Sequence, residues 1–471
     1  MAENDDNPVR SASEGVVSRR EFLGATASVG VGAVLGSRVL RGSLRGSHQS
    51  DETHVPLSTQ QTLTMWSWEE LSQWDKVYQE SGVYKKFPGL KLTFLPQDID
   101  TLEQKAITAL ASGVSTGLPN LLRIPMGIYR ALVNTKAIVD TTSYITPYKD
   151  DILATTWASL DVNGRTYALP DDTGFCLFGY RSDLFSKAGI GSTPAEVAAA
   201  IPTYDDLITV GQKLKAKTGS VLMLFPEGSD GLGSPNPFST MVMQGSTGFF
   251  DLDGNVILDS PYHIQVGELY QKMYKSGLTA NITGTVQQWA AYKSGQLATI
   301  PYPNWQDFEF VAYTPSLAYK WQVVPLPTVT SASKQIATAD GCAIVLPAGQ
   351  PSDQLKLAIQ VGLYLKLNKA ASEAHMRVFS GAFESNIPAL EAMKGTKSPM
   401  LKGQEVYNIW LPDVQTLKPY SISYASVFGT QMATAVNNAI YSITIDNKSV
   451  ASTLKSAADS VRQLQDEKGL K

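Results

Sequence analysis

The sequence predicts an α/β fold built from two sizeable units. Residues 61–124 alternate strand-like and helix-like patterns in β-α-β-α-β order, which gives a parallel sheet with helices packed on its faces. A second unit of the same mixture opens near Gly174. About 410 residues follow position 60, enough for two or three domains, and the whole chain is 43% apolar, enough for large cores.

The elements follow from periodicity. Leu63, Met65 and Ser67 alternate with Thr64, Trp66 and Trp68, a strand with two distinct faces. Residues 69–87 have helical character, and Pro88-Gly89 stops them. Leu90, Leu92 and Phe94 mark the next strand. Asp100 with Glu103 has capping-box spacing, and Leu102, Ala106, Ala109 and Leu110 form the stripe of a helix that Gly113 ends. Residues 121–124 make a third strand.

In the second unit, residues 177–180 are strand-like. Thr203 and Asp206 cap a helix carrying Leu207, Val210 and Leu214, closed by Gly219. Residues 249–258 read as a hairpin turning at Asp253-Gly254. Asp251, Asp253 and Asn255 outline a calcium loop, but the glycine is displaced and the terminal glutamate is missing. Further strands are expected at 297–302, 322–326 and 342–346, an amphipathic helix at 352–367, and Ala-rich helix from 427 onward.

Val17 to Val39 carries Ser18-Arg19-Arg20-Glu21-Phe22-Leu23 before a weakly apolar Gly/Ala/Val run. This is the pattern of a twin-arginine export signal. The run is too broken by Gly and Ser for a clear membrane span, although an uncleaved anchor stays open. Gly36-Ser37 offers a weak cleavage point. Residues 41–60 are polar and aperiodic, a tether.

Net charge is −4 with no basic face, so nucleic acid is not an expected partner. The two cysteines, Cys176 and Cys342, have no ligand-spaced His or Cys beside them, so no metal and no cofactor are expected. Whether they pair stays open.

Several segments, in order, resemble the extracellular solute-binding proteins of ABC importers, above all the sugar-binding, maltose-binding-protein-like branch. They are LTMWSWEE at Leu63, FPGLKLTF at Phe87, ALASG at Ala109, LPNLLRIP at Leu118 and NGRTYALPDDTGFCLFGYRSDLFSKAGI at Asn163. PTYDDLITVGQKLKAKTG at Pro202, SGQLATIPYPNW at Ser294, WQVVPLP at Trp321, DGCAIVLP at Asp340 and SNIPAL at Ser385 continue the set. Two features depart from the family: no lipobox cysteine follows the signal, and Asp340-Gly341 stands where Gly-Gly is usual.

The resemblance implies a two-lobed, periplasmic-binding-protein-like clamshell of type II, each lobe a mixed or parallel sheet flanked by helices. Mapped onto this chain, residues 1–40 are the signal segment and 41–60 the tether. Residues 61–170 with 343–400 form the N-terminal lobe, and 173–338 with 401–471 the C-terminal lobe. Hinge crossings fall near 169–173, 339–343 and 397–404. If the strands bearing Cys176 and Cys342 are neighbours, a hinge disulfide becomes conceivable. The implied function is capture of a sugar, an oligosaccharide by preference, and delivery to the transmembrane permease of an ABC importer by a monomeric, exported protein that is not an enzyme.

A sugar site needs rings for its C–H faces and oriented polar groups for its hydroxyls, and open α/β sheets bind ligands at strand ends. Trp66, Ser67, Trp68 and Glu69 lie at the end of the first strand. Trp66 and Trp68 share a face, so one of them can be core. Arg123 interrupts an apolar strand end and needs a partner, either ligand or a structural ion pair. Asp171 and Asp172 sit at the first crossing; Asp172 is the preferred ligand contact. Trp305 matches the family's stacking tryptophan and is the leading candidate. Asp340 and Tyr424 complete the set. Trp74, Trp157, Trp289, Trp321 and Trp410 are core or surface by default.

Two other readings stay open. One is a binding protein for a non-sugar solute such as a polyol, peptide or phosphodiester. The other is a secreted glycoside hydrolase, for which Glu69, Asp171 and Asp172 supply carboxylates. Gly113-Val114-Ser115-Thr116-Gly117 matches G-x-S-x-G, but it follows a helix and precedes a strand, the reverse of a nucleophile elbow.

Overall fold

The first strand, β1 (Gln61–Ser67), buries Leu63, Met65 and Ser67 and leaves Thr64 and Trp66 half-buried, the alternation its sequence predicts. β2 (Leu90–Pro96) and β3 (Leu121–Pro125) flank it, both parallel to it. This computed structural model describes residues 61–112, 117–225, 237–251, 253–282, 285–379, 382–398, 400–414, 426 and 428–469. The twin-arginine segment, the tether, residues 113–116 of the G-x-S-x-G match and Tyr424 lie outside the described residues. Among the described residues, no helix is long and apolar enough to cross a membrane.

The remaining strands are β4 (Leu169–Arg181), β5 (Met223–Phe225), β6 (Thr279–Asn281), β7 (Thr299–Pro303), β8 (Trp321–Val324) and β9 (Ala337–Val345). The main sheet runs β2-β1-β3-β9-β4-β7, with β8 also on β4, and β5-β6 forms a small parallel pair. β9 lies antiparallel to both β3 and β4, so the sheet is mixed.

β4 and β9 are the strands on which the first two expected crossings fall. They pair from Leu169↔Ile344 to Cys176↔Ala337, and the register slips on both sides of Thr173. Such an irregularity re-aims side chains, and the residues it re-aims are Asp171 and Asp172. The backbone there is pinned from a third side: Ser385 donates its N–H to Asp171 O at 3.0 Å, and Asp172 bridges Glu384. In the 397–404 stretch, Gln404 grips β8 through both the N–H and the C=O of Val323, each at 2.8 Å.

Alternate residues of β4 feed different cores. Phe175 and Leu177 join the core of Leu63, Met65, Phe94, Ile124, Val361 and Trp410. Cys176, Phe178 and Tyr180 join that of Leu207, Met241, Tyr270, Ile440 and Leu454. A strand buried on both faces can serve two cores at once, and its run of apolar residues reflects that.

Several local expectations are corrected. The expected 69–87 helix is two helices, Leu71–Glu80 and Val83–Lys86. Gly82 breaks it at φ 76°, where an added Cβ would also lie 3.2 Å from the Tyr364 hydroxyl. The cap of helix Ile99–Ala111 is Asp98, which accepts from Thr101 N at 3.1 Å; Asp100 lies inside the helix. The expected 249–258 hairpin reduces to a single bridge, Phe250↔Val256. Asp251 Oδ1 accepts from Asp253 N and Asn255 N at 3.0 and 2.8 Å, so the acidic side chain organises a turn rather than an ion site. Thr203 caps helix Tyr204–Thr218 as expected, and Gly219 closes it at φ 78°.

The conceivable hinge disulfide is excluded by register. The two strands are neighbours, but Cys176 pairs with Ala337 whereas Cys342 pairs with Pro125. The five-residue offset along β9 spans about 16 Å, against a limit of about 7 Å between bridged Cα atoms. Neither cysteine forms a disulfide.

His263 gives the second core a pH dependence. The Gly248 carbonyl can only accept, so Nε2 carries the proton at 3.0 Å from it, and Nδ1 accepts from Ser260 Oγ at 2.7 Å. Burial lowers this imidazole from its ordinary 6.5 to about 4. The folded state therefore resists a proton that the unfolded chain accepts. The stability is fully present above pH 6.5 and is lost as pH falls toward 4. The expected loss is on the order of 3 kcal/mol. Urea midpoints of wild type and His263→Gln across this range test it: the wild-type slope should be steeper, and parallel slopes would contradict the assignment.

Candidate functional site

The site grows from one buried arginine. Every residue of β3 is buried, and the Arg123 side chain is only 4% exposed. Arg123 pairs with Ile344 on β9, and Ile344 pairs with Leu169 on β4, two residues before Asp171. The guanidinium thus reaches across β9 to the crossing. Its Nε donates to Asp171, its Nη1 to Glu69, and its Nη2 to Asp172 Oδ2 at 2.7 Å. The Trp68 ring covers it, with Cζ 4.4 Å from the ring centre. A planar fork holding three carboxylates under an indole is a use of arginine that lysine cannot reproduce.

The network continues inward. Asp171 also pairs with Lys366 Nζ, on helix Ser352–Leu367, and Lys366 donates to Glu384 Oε1 at 2.9 Å. His375 Nδ1 faces the same Glu384 oxygen. Glu69 Oε2 accepts from Ser67 Oγ and, at 3.2 Å, from Trp74 Nε1. The Lys366 ammonium stands 5.5 Å from the centre of the Trp74 ring.

The electrostatics sort the carboxylates. Burial pushes Asp171 up, but Arg123 and Lys366 outweigh it and hold the group far below the usual carboxylate range. Burial raises Asp172; Arg123 opposes, Asp171 and Glu384 add to the rise, and the net shift is upward. Burial opposes the charges of Arg123 and Lys366, yet the surrounding carboxylates raise both.

Ligand-capable atoms of Asp171, Asp172 and Cys342 lie within 4.8 Å of one another. That donor set does not suit a cation, because Arg123 already pairs with both carboxylates and Lys366 with Asp171. The cluster is an ion-pair node.

Across the crossing, the end of β7 locks onto β4. Asn304 N donates to Phe175 O, and Phe175 N donates to Asn304 Oδ1, both at 3.1 Å. Trp305 follows, half-buried against the second core at the start of helix Gln306–Tyr313. The structure therefore gathers Ser67, Trp68, Glu69, Arg123, Asp171 and Asp172 into one cluster. Trp66 lies on β1 beside it, with Lys105 Nζ 5.7 Å from its ring centre. Trp305 packs against the second core rather than into this cluster, and the Asn304–Phe175 pair fixes the backbone before it three residues along β4 from Asp172. Asp340 lies on β9, but its side chain is outside the described ones.

Residues 81–361 match the bacterial extracellular solute-binding protein family. The chain is a member of that family. The arabinooligosaccharide-binding protein of Bacillus subtilis is 23% identical to this solute-binding protein over 326 residues, 68% of this chain and 71% of the relative. Among solved structures, the GacH receptor of Streptomyces glaucescens, known unliganded and with acarbose, superposes with TM-score 0.68 at 17% identity, covering 86% of this chain and 98% of that one. The ABC-transporter-associated binding protein of B. animalis subsp. lactis, solved with beta-1,6-galactobiose, gives 0.70 at 18% identity over 88% and 99%. These likenesses carry the fold: the two-lobed clamshell of type II. Family membership also makes this a binding protein that works outside the cytoplasmic membrane.

Lys366, His375 and Glu384 escaped the sequence reading of this solute-binding protein. A signal for one of them was there. Lys366 interrupts Leu363-Tyr364-Leu365 and Leu367 just as Arg123 interrupts Leu121-Leu122 and Ile124, and a buried lone charge in an apolar run needs a partner.

Proposed function

We propose that this solute-binding protein captures a carbohydrate, an oligosaccharide by preference, in the cleft between its lobes and passes it unaltered to the permease of an ABC importer. The observation that carries the reading is the cluster at the crossing. Trp66, Trp68 and Trp305 offer ring faces, and Glu69 and Asp172 offer acceptors held in place by Arg123. The saccharides named for the relatives support the same chemistry. Rings add roughly 0.5–1.5 kcal/mol each beyond buried area, and with charge-assisted hydrogen bonds they reach the roughly 8 kcal/mol of micromolar binding.

The lobes are residues 61–170 with 343–400 and residues 173–338 with 401–471. They close about the crossings because ligand binds the closed state better than the open one. The twin-arginine segment takes the chain out already folded, and it acts as a monomer. Turnover is not part of this reading. A glycosidase sets its acid and its base or nucleophile to flank the scissile bond, whereas here Glu69 and Asp172 hold one guanidinium and Asp171 is fully buried.

A thermal-shift screen against neutral saccharides tests the proposal. A saccharide at a hundred times its dissociation constant should add about 2.7 kcal/mol of stability. A panel of mono- and oligosaccharides that leaves the melt unmoved, beside a peptide or polyol that raises it, would replace the carbohydrate reading.

A further inference from the structure

Among the described residues, the polar atoms beside the crossing that are buried without a hydrogen-bond partner include Asn304 Nδ2 and Asp172 Oδ1. The opposite end of each group shows why. Asn304 is 1% exposed, and its Oδ1 accepts from Phe175 N at 3.1 Å. Turning the amide over would set its NH2 against that N–H, donor against donor, so Nδ2 is the end left over. Asp172 Oδ2 accepts from Arg123 Nη2 at 2.7 Å, which leaves Oδ1. Asp172 and Phe175, the partner of Asn304, stand three residues apart on β4, and Trp305 directly follows Asn304. Buried polar atoms are nearly always paired, so two orphans at one crossing ask for a partner from outside the chain.

We propose that Asn304 is a specificity residue of the ligand site, donating from Nδ2 to one ligand hydroxyl while Asp172 Oδ1 accepts from another. This rests on the carbohydrate reading and sharpens it. One site donor and one site acceptor call for groups that both accept and donate, which is what sugar hydroxyls do. The ligand class is a neutral saccharide with free hydroxyls next to the ring that stacks on Trp305. A ligand carboxylate would face the Asp172 oxygen and be repelled. A deoxy position would leave one buried atom unpaired, a defect that hydrogen-bonding sites reject strongly.

Calorimetry with arabinotriose, lactose and maltotriose as probes tests the assignment. Asn304→Asp keeps the acceptor for Phe175 N and loses the donor; Asn304→Ala loses both. For the saccharide that wild type binds, both variants should bind at least tenfold more weakly. If Asn304→Asp binds like wild type and only Asn304→Ala is weaker, Asn304 merely pins β4 and the inference falls. A second arm needs no variant: among mono-deoxy forms of the bound saccharide, at least one should bind wild type tenfold more weakly. Equal affinity for all of them overturns the inference. Failure of wild type to bind any probe would instead count against the carbohydrate reading beneath it.

Discussion

Replacing Arg123 with methionine is expected to destabilise the protein by about 3–5 kcal/mol, the usual result of orphaning buried ionic partners. The substitution keeps much of the side-chain volume but strands Glu69, Asp171 and Asp172, all of which the guanidinium holds. Lys366 still neutralises Asp171. Lys366 also opposes the rise at Asp172, but burial already lifts that carboxyl on balance even with Arg123 in place. The loss should therefore shrink as pH is lowered and the stranded carboxylates take up protons. Arg123→Lys should fall between wild type and methionine, since a point charge cannot span three acceptors. Urea midpoints at pH 7 and pH 5 provide the check. A methionine variant within about 1 kcal/mol of wild type, the scale of exposed pairs, would mean that the network is not the stabilising node described.

Trp305→Ala is expected to weaken saccharide binding at least tenfold. Trp305 is half-buried, packed on one side against the second core. On the proposed reading a sugar stacks on the rest of the ring, and losing both stacking and buried area exceeds the roughly 1.4 kcal/mol of a tenfold change. Trp321→Ala is the control. Trp321 is fully buried and stacks on Phe310 with ring centres 4.7 Å apart. It should cost about 3–5 kcal/mol of stability. Calorimetry and melting curves of the two variants should separate them: the first mainly loses affinity, the second mainly loses stability. Unaltered affinity in Trp305→Ala would remove that ring from the site.

Much of the ion-pair cluster at the crossing could be read from the sequence because burial leaves marks in it. Arg123 inside an apolar strand, paired aspartates after Leu169-Pro170, and Trp-Ser-Trp-Glu at the end of β1 are all unusual in their local pattern. Their convergence could not be read, because it depends on β9 lying between β3 and β4 in antiparallel register. That pairing joins residues some two hundred positions apart, which periodicity does not encode. The open question of a hinge disulfide had the same root: neither the adjacency of the strands bearing Cys176 and Cys342 nor the register that separates the two residues is written in the local pattern. Cap positions erred by small amounts. Asp98 and Asp100 both offer a capping oxygen, and only the backbone geometry at the helix start selects between them. The break at Gly82 shows a glycine outweighing an otherwise helical stretch.

The most direct test concerns the fate of the ligand. Purified protein is saturated with the saccharide that raises its melting temperature, held for hours, and then unfolded to release what it carries. Chromatography and a reducing-end assay should return that saccharide intact and in a one-to-one ratio with protein. New reducing ends, growing with time and abolished by Asp172→Asn, would contradict the account and make the cluster at the crossing a hydrolytic centre.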